Sequence, residues 1–246
     1  MKGLRAAWRL LSALAHALGG WWTIAFDFPR MTQAQRDARV TSWAREMLRI
    51  LGIELRLEGA VPARGPLLLV ANHISWLDIL VMHAARHCRF VAKADVKRWP
   101  LIGTLATGGG TLYIERESRR DAMRVVHRMA ESLRAGDVLA VFPEGTTSDG
   151  RTVLPFHANM LQAAISADAP ALPVALTFVD AASGATSFAA SYVGDETLLG
   201  SLWRTLTAPP LAAVVTFGQP QHAHGRDRRA WAAVLREAVI GLRQAP

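Results

Sequence analysis

Val70 to Leu80, VANHISWLDIL, is the stretch on which the reading of this chain turns. Leu67 to Ala71 is an uninterrupted apolar run, the pattern of a buried strand, and Ser75 followed by Trp76, Leu77, Asp78, Ile79 and Leu80 predicts a helix start. His73 therefore falls at a strand-to-helix turn. Side chains at such turns project from the end of a sheet into the crevice where open α/β folds place their ligands. Five residues of continuous helix would leave His73 and Asp78 about 140° apart, so the two meet only if His73 precedes the helix and Asp78 lies in its first turn. Ser75 supplies that break. The same residues also fit an S-x-x-D capping box, in which Asp78 is a helix cap and His73 a turn residue, so the pair gains meaning only from the stretches around it.

Upstream, Ile53, Leu55 and Leu57 alternate with Glu54, Arg56 and Glu58, which predicts a strand wet on one face. Downstream come a short strand from Arg89 to Ala92, a helix from Ala94 to Leu105 bent at Pro100, and a strand from Thr111 to Ile114. Gly108, Gly109 and Gly110 open that strand, and Glu115, Arg116 and Glu117 end it. Ser118 and Asp121 form a further capping box for a helix whose apolar face is Ala122, Val125, Val126, Met129 and Leu133. Val138 to Phe142 is a near-continuous apolar strand, as in a parallel sheet covered on both faces. It runs into Pro143, Glu144, Gly145, Thr146, Thr147, Ser148, Asp149 and Gly150. Ser148-Asp149-Gly150 is a hydrophilic turn, whereas Glu144 directly follows a buried strand and points into the same crevice as His73. Beyond lie a helix from His157 to Ala167, a strand from Leu172 to Val179, a strand around Ser187 to Val193, a helix from Glu196 to Thr205, a strand from Leu211 to Phe217 and a helix from Arg228 to Arg243. The alternation is that of one α/β domain, which 246 residues suffice to build.

The formal net charge is +8, and lysine occurs only at Lys2, Lys93 and Lys97, so the positive charge is almost all arginine. Anionic partners follow: lipid headgroups, phosphorylated substrates or an acidic carrier. Nucleic acid is disfavoured, because the arginines are dispersed among helices without a basic run interleaved with aromatics. From Leu10 to Phe26 there is no Asp, Glu, Lys or Arg, with Trp21 and Trp22 near the far end. Seventeen residues is at the short limit for a span, and His16 and Gly19-Gly20 weaken one, while the tryptophans suit the headgroup level. A retained embedded or interfacial helix is expected rather than a cleaved signal, because Phe26, Asp27, Phe28 and Pro29 follow the apolar stretch. A second helix begins after Thr32 and stops at Gly52, with Val40, Trp43, Met47, Leu48 and Leu51 on its apolar face. Together the two form a membrane-docking hairpin over residues 1–52, ahead of a catalytic domain over 53–246. The single cysteine, Cys88, is expected inside an amphipathic helix and allows no internal disulfide, which fits a reducing compartment.

Taken together, these blocks resemble the glycerolipid acyltransferase family, the bacterial lysophosphatidate acyltransferases in particular. The N-H-x4-D block is matched by Asn72, His73 and Asp78, the glycine-led strand ending in Arg by Gly110 to Arg116, and the F-P-E-G-T-R-S block by Phe142 to Ser148, with Thr147 where the family commonly has Arg. Leu172, Pro173 and Val174 match the fourth, proline-centred block, so the resemblance covers roughly 53–178. It implies a mixed, largely parallel sheet flanked by helices, an amino-terminal docking element, and O-acyl transfer from coenzyme A or acyl carrier protein thioesters to a lysolipid at the cytoplasmic face of the inner membrane, with no cofactor. His73 is then the general base and Asp78 its partner. Arg116, Lys93, Glu144, Gly145 and Thr146 fall to substrate binding, Arg116 as a bidentate fork for phosphate. Backbone amides near Pro143 to Thr146, or at the helix start after Ser75, are the candidate oxyanion donors.

Thr147 divides the expected acceptors. Either Arg116, Lys93 and Arg151 suffice for lysophosphatidate, or the acceptor lacks a phosphomonoester, and the E-G-T-T-S-D-G form also resembles a branch that acylates lyso-ornithine lipid. Two other classes compete. A metal site would draw on the histidine pair His222 and His224, in an apparent surface loop. A non-enzymatic membrane adaptor leaves His73, Asp78 and Glu144 without a task.

Overall fold

The structure, a computed structural model, describes residues 2–114 and 119–244. Its centre is the strand β2 (Leu67–Ala71), in which every residue is buried. β2 lies between β5 (Val138–Val141) and β6 (Ala171–Asp180), parallel to both. Seven strands form one sheet in the order β1-β7-β6-β2-β5-β3-β4, where β1 is Ile53–Glu58, β3 Arg89–Lys93, β4 Leu112–Ile114 and β7 Leu211–Phe217. Only the β6–β7 pairing is antiparallel. The sheet is thus mixed and largely parallel, as expected.

Helices cover both faces. On one side α2 (Gln33–Leu51) and α3 (Leu77–Ala85) pack with Leu67, Leu69, Ala71, Leu172, Val174 and Val215. On the other, α5 (Arg119–Arg134), α6 (Leu161–Ala167) and α8 (Arg228–Gln244) enclose Leu68, Val70, Leu139 and Val141 around the fully buried Trp231. Odd and even residues of β2 therefore face opposite layers, the reason its sequence is apolar throughout.

α1 (Lys2–Trp22) lies on this body through Ala6, Ala13 and Gly20, seven residues apart, whose small size permits close approach. A Cβ on Gly20 would sit 2.6 Å from the Trp43 indole nitrogen. His16 and Trp43 tie α1 to α2: the Trp43 indole N–H donates to the His16 carbonyl at 3.2 Å, and His16 Nε2 lies 3.0 Å from the Trp43 carbonyl. The opposite face of α1 and the turn after it present Leu4, Trp8, Leu11, Leu14, Leu18, Trp22 and Phe26 to solvent, a continuous apolar stripe at helical spacing. Among the described residues no helix is long and apolar enough to cross a membrane. α2 is closed as its sequence requires, by a Thr32–Gln35 capping box and by Gly52 in the left-handed region.

Several local expectations need correction. Ala94 to Leu105 is no single bent helix: a 3₁₀ turn at Ala94–Arg98 ends before Pro100, and α4 (Ile102–Gly108) starts after Leu101 takes a positive φ of 62°. Cys88 lies in the turn after α3, where burial pushes its thiol up to about 12. Ser187 to Val193 forms no strand. Between β6 and α7 (Leu198–Thr207) that segment instead crosses the end of the sheet, with the Tyr192 N–H donating to the Ile74 carbonyl at 3.0 Å.

Candidate active site

The site forms where β2 and β5, adjacent central strands, end side by side with Val70 paired to Val141. Asn72 continues β2 with its side chain: its carboxamide accepts from the Leu176 N–H at 2.8 Å and donates to the Leu176 carbonyl at 3.0 Å. This imitation of a strand pairing lets the backbone leave the sheet, and His73 follows at the turn. α3 does not begin until Leu77, so Asp78 falls in its first turn.

The structure brings the pair together. His73 Nδ1 lies 2.8 Å from Asp78 Oδ2. The same carboxylate oxygen accepts the N–H of Ile74 at 2.6 Å and of Ser75 at 2.9 Å, and Asp78 is fully buried. Ser75 Oγ in turn accepts the Leu77 N–H at 3.2 Å. The capping and catalytic readings of Asp78 are thus one arrangement, in which the carboxylate caps the helix and orients the imidazole. The His73 ring stacks on Phe142 with centroids 4.0 Å apart and planes at 7°, and Phe142 stacks on Phe90. That contact fixes the ring plane, so Nε2 is the edge left for chemistry.

Glu144 arrives from the end of β5 and is 3% exposed. One carboxylate oxygen accepts the His73 N–H at 2.7 Å and the other the Leu154 N–H at 3.0 Å. Both bonds go to backbone amides. Burial pushes its carboxyl above the ordinary range, opposed by the His73 and Leu154 donors. Ser148 completes the joint: its N–H and hydroxyl both donate to the His73 carbonyl, at 2.9 and 3.2 Å. Gly145 occupies the left-handed region at φ 74°, against His157.

The two candidate sources of oxyanion donors differ. At the helix start the amides of Ile74, Ser75, Leu77 and Asp78 are already bonded to Asp78 and Ser75. In the loop, the Gly145 N–H donates to the Phe142 carbonyl at 3.1 Å. Exposed Thr146 and half-buried Thr147 carry amides with no hydrogen bond to another described residue.

Lys93 is exposed at the carboxyl end of β3, the neighbour of β5. Arg116 lies outside the described residues, as do the Ser118 and Asp121 cap side chains. Thr147 donates its hydroxyl to the Tyr192 carbonyl, so the residue standing in place of arginine holds the crossing segment against the site. Arg151, a few residues on, stacks its guanidinium 4.4 Å from the Phe188 centroid in that same segment. His222 and His224 face each other at 6.0 Å in the loop after β7, with Asp168 3.7 Å from His222.

Asn72, Phe142, Ser148, Arg236 and Arg243 also build the site, although the sequence motifs assign them no role. Phe142 and Ser148 belong to a quoted block, so their place was visible while their contacts were not. Arg236 and Arg243 sit on α8 and bond to the carbonyls of Leu154, Val153 and Gly150, a link that no spacing announces.

Three comparisons bear on this geometry. A family model described as Acyltransferase matches residues 52–177. The lyso-ornithine lipid O-acyltransferase of Pseudomonas aeruginosa is 35% identical over 239 residues, covering 96% of this chain and 91% of that protein. The 1-acyl-sn-glycerol-3-phosphate acyltransferase of Neisseria meningitidis is 35% identical over 206 residues, covering 83% and 80%. In architecture, the crystal structure of the 1-acyl-sn-glycerophosphate acyltransferase of Thermotoga maritima superposes with a TM-score of 0.67 over 97% of this chain and 99% of that one, at 19% identity, which establishes the common fold. The matched stretch contains the strand ends, turn and loop that build the site, and the relatives extend past it in both directions: the chain belongs to the acyltransferase family, as an O-acyltransferase.

Proposed function

We propose that this enzyme transfers a fatty acyl group from a thioester to the free hydroxyl of a lysolipid, with 1-acylglycerol-3-phosphate as acceptor and phosphatidate as product. The observation that carries the proposal is the His73–Asp78 contact beside a loop with two uncommitted amides. His73 Nε2 takes the proton of the acceptor hydroxyl, and the oxygen attacks the thioester carbonyl. Asp78 holds the ring by its other nitrogen and stabilises the imidazolium. The Thr146 and Thr147 amides receive the oxyanion. Collapse breaks the C–S bond, and the thiolate takes the proton from His73. Attack is direct: the Ser75 and Ser148 hydroxyls are bonded into the backbone, and the Cys88 thiol is buried with its pKa pushed up to about 12.

The donor is an acyl thioester of coenzyme A or of acyl carrier protein, and no cofactor is required. Lys93 and Arg151, with Arg116, supply cations for an anionic headgroup. The α1 stripe lies in the headgroup region of the cytoplasmic face of the inner membrane, held there by its apolar side chains and by attraction of the arginine-rich helices to anionic lipid.

A second acceptor, lyso-ornithine lipid, is favoured by one observation: Thr147 is spent on the Tyr192 carbonyl, which leaves the phosphate side of the site without the usual arginine. The deciding experiment offers the purified protein in detergent a labelled long-chain thioester with both acceptors in parallel, wild type beside Thr147→Arg. Transfer to lysophosphatidate by the wild type supports the first reading. Transfer only to lyso-ornithine lipid, shifted toward lysophosphatidate by Thr147→Arg, moves the assignment to the second. Transfer to neither contradicts both.

A further inference from the structure

The loop that carries Glu144 is held from outside the site by two arginines of α8, Arg243 at the Gly150 carbonyl and Arg236 at the peptide that binds Glu144. Val153 C=O and Leu154 N–H belong to a single peptide unit. Its N–H donates to Glu144 Oε2 at 3.0 Å, and its carbonyl accepts from Arg236 Nη2 at 2.6 Å. Arg236 Nε donates to the next carbonyl, Leu154, at 3.0 Å, so the guanidinium fork grips two successive carbonyls. Arg236 also faces Glu237, 3.2 Å from its Nη1. A cation on a peptide oxygen polarises the group and strengthens its N–H as a donor, because bonded dipoles in a low-dielectric setting reinforce one another. The chain of contacts is continuous: Arg236, peptide 153–154, the Glu144 carboxylate, the His73 N–H.

We infer that Arg236 is a positioning residue for acyl transfer. It touches no reacting atom. By fixing the peptide that holds Glu144, it sets where the loop bearing the Thr146 and Thr147 amides stands relative to His73, and with that the distance between base and oxyanion donors. The inference rests on the proposed roles of His73 and of those amides. It does not depend on which lysolipid is the acceptor, because Arg236 bonds the Val153 and Leu154 carbonyls and makes no bond to Thr147.

Displacements of about 1 Å at a catalytic group cost up to 10²-fold, so Arg236→Ala should lower kcat by about 10- to 100-fold and leave the KM of donor and acceptor within about threefold. Guanidinium at tens of millimolar, against equal sodium chloride, should restore part of the lost kcat, since about a third of the Arg236 side chain is exposed. Arg236→Lys, which retains the charge and loses the fork, should fall between wild type and Arg236→Ala. Because Arg236 acts through Glu144, the double variant Glu144→Gln with Arg236→Ala should lose little more than Glu144→Gln alone, a coupling that independent sites do not show.

His73→Ala is measured beside them. If His73→Ala is inactive while Arg236→Ala has wild-type kcat, the positioning role is overturned and the catalytic reading stands. If His73→Ala retains wild-type turnover, the catalytic reading itself fails. Additive losses in the double variant, or a kcat decrease matched by loss of folded protein and unmoved by guanidinium, overturn the inference as well. Should Arg236→Ala not fold, the cycle is run with Arg236→Lys, where the same coupling is required.

Discussion

The two loops that meet at the site are held in opposite ways. At the end of β2, the His73 ring is oriented locally: a single carboxylate oxygen binds the ring and two amides, all between His73 and Asp78. At the end of β5, the loop from Glu144 to Leu154 is held by residues distant in sequence, by His73 on one side and by Arg236 and Arg243 of α8 on the other. The base and its partner are therefore preset by local geometry, while the donors for the oxyanion depend on how the whole domain is assembled. Local contacts can be read from spacing. Distant ones require the topology that brings β2, β5 and α8 together.

Breaking the local turn should produce the largest effect. Asp78→Ala removes the acceptor for three donors in a fully buried place, and each buried donor left without a partner costs about 1–3 kcal/mol. Denaturant unfolding should show that loss, and acyl transfer should fall by at least the 10²–10⁴-fold, roughly, that positioned proton transfer contributes. A milder change tests the distant loop. Glu144→Gln keeps an acceptor for one of its two amides and leaves the other unmatched, a cost of about 1–3 kcal/mol. Its activity should fall less than that of Asp78→Ala, and if it falls more, the ranking of the two loops is reversed.

His83 sharpens the contrast from a third side, because it has neither kind of support. It is buried in α3, with Nδ1 lacking a hydrogen-bond partner among the described residues. Burial, with the nearby His87, depresses its pKa to about 3. The unfolded chain takes up a proton at this ring as pH falls through about 6.5, whereas the folded chain does not until about 3. Stability is thus present above that window and lost as pH falls through it, by about 1.4 kcal/mol per unit. His83→Leu should reduce the slope of stability between pH 6.5 and 4.5. It should not abolish it, since burial also lowers the His87 pKa. An unchanged slope would show that His83 is not the group responsible.

How much the sequence revealed follows the same division. The bounds of β2 and β7, the break at Ser75 and the Thr32 to Gly52 limits of α2 are legible because each rests on apolar period or on a cap within a few residues. The His73–Asp78 contact is legible for the same reason. Ser187 to Val193 misleads because only its start meets a strand, where the Ser187 N–H donates to the Phe178 carbonyl of β6. A turn closed by the Ser191 N–H on the Phe188 carbonyl follows, and Tyr192 then bonds to Ile74 and Thr147 at two other loops. The break at Leu101 was masked by apolar residues on both sides of Pro100. Arg236 could not be singled out among so many arginines, because its partners are backbone carbonyls 82 and 83 residues away.

The central claim is that His73, held by Asp78, is the base for direct acyl transfer to a lysolipid. Single-turnover transfer from a labelled thioester, measured for wild type and for His73→Ala matched in folded fraction, tests it most directly. The expected result is product ester in the wild type, a loss of at least about 10²-fold in the variant, and no label left on the protein in either. Wild-type rates in His73→Ala, or an acyl group recovered covalently on the chain, would contradict it.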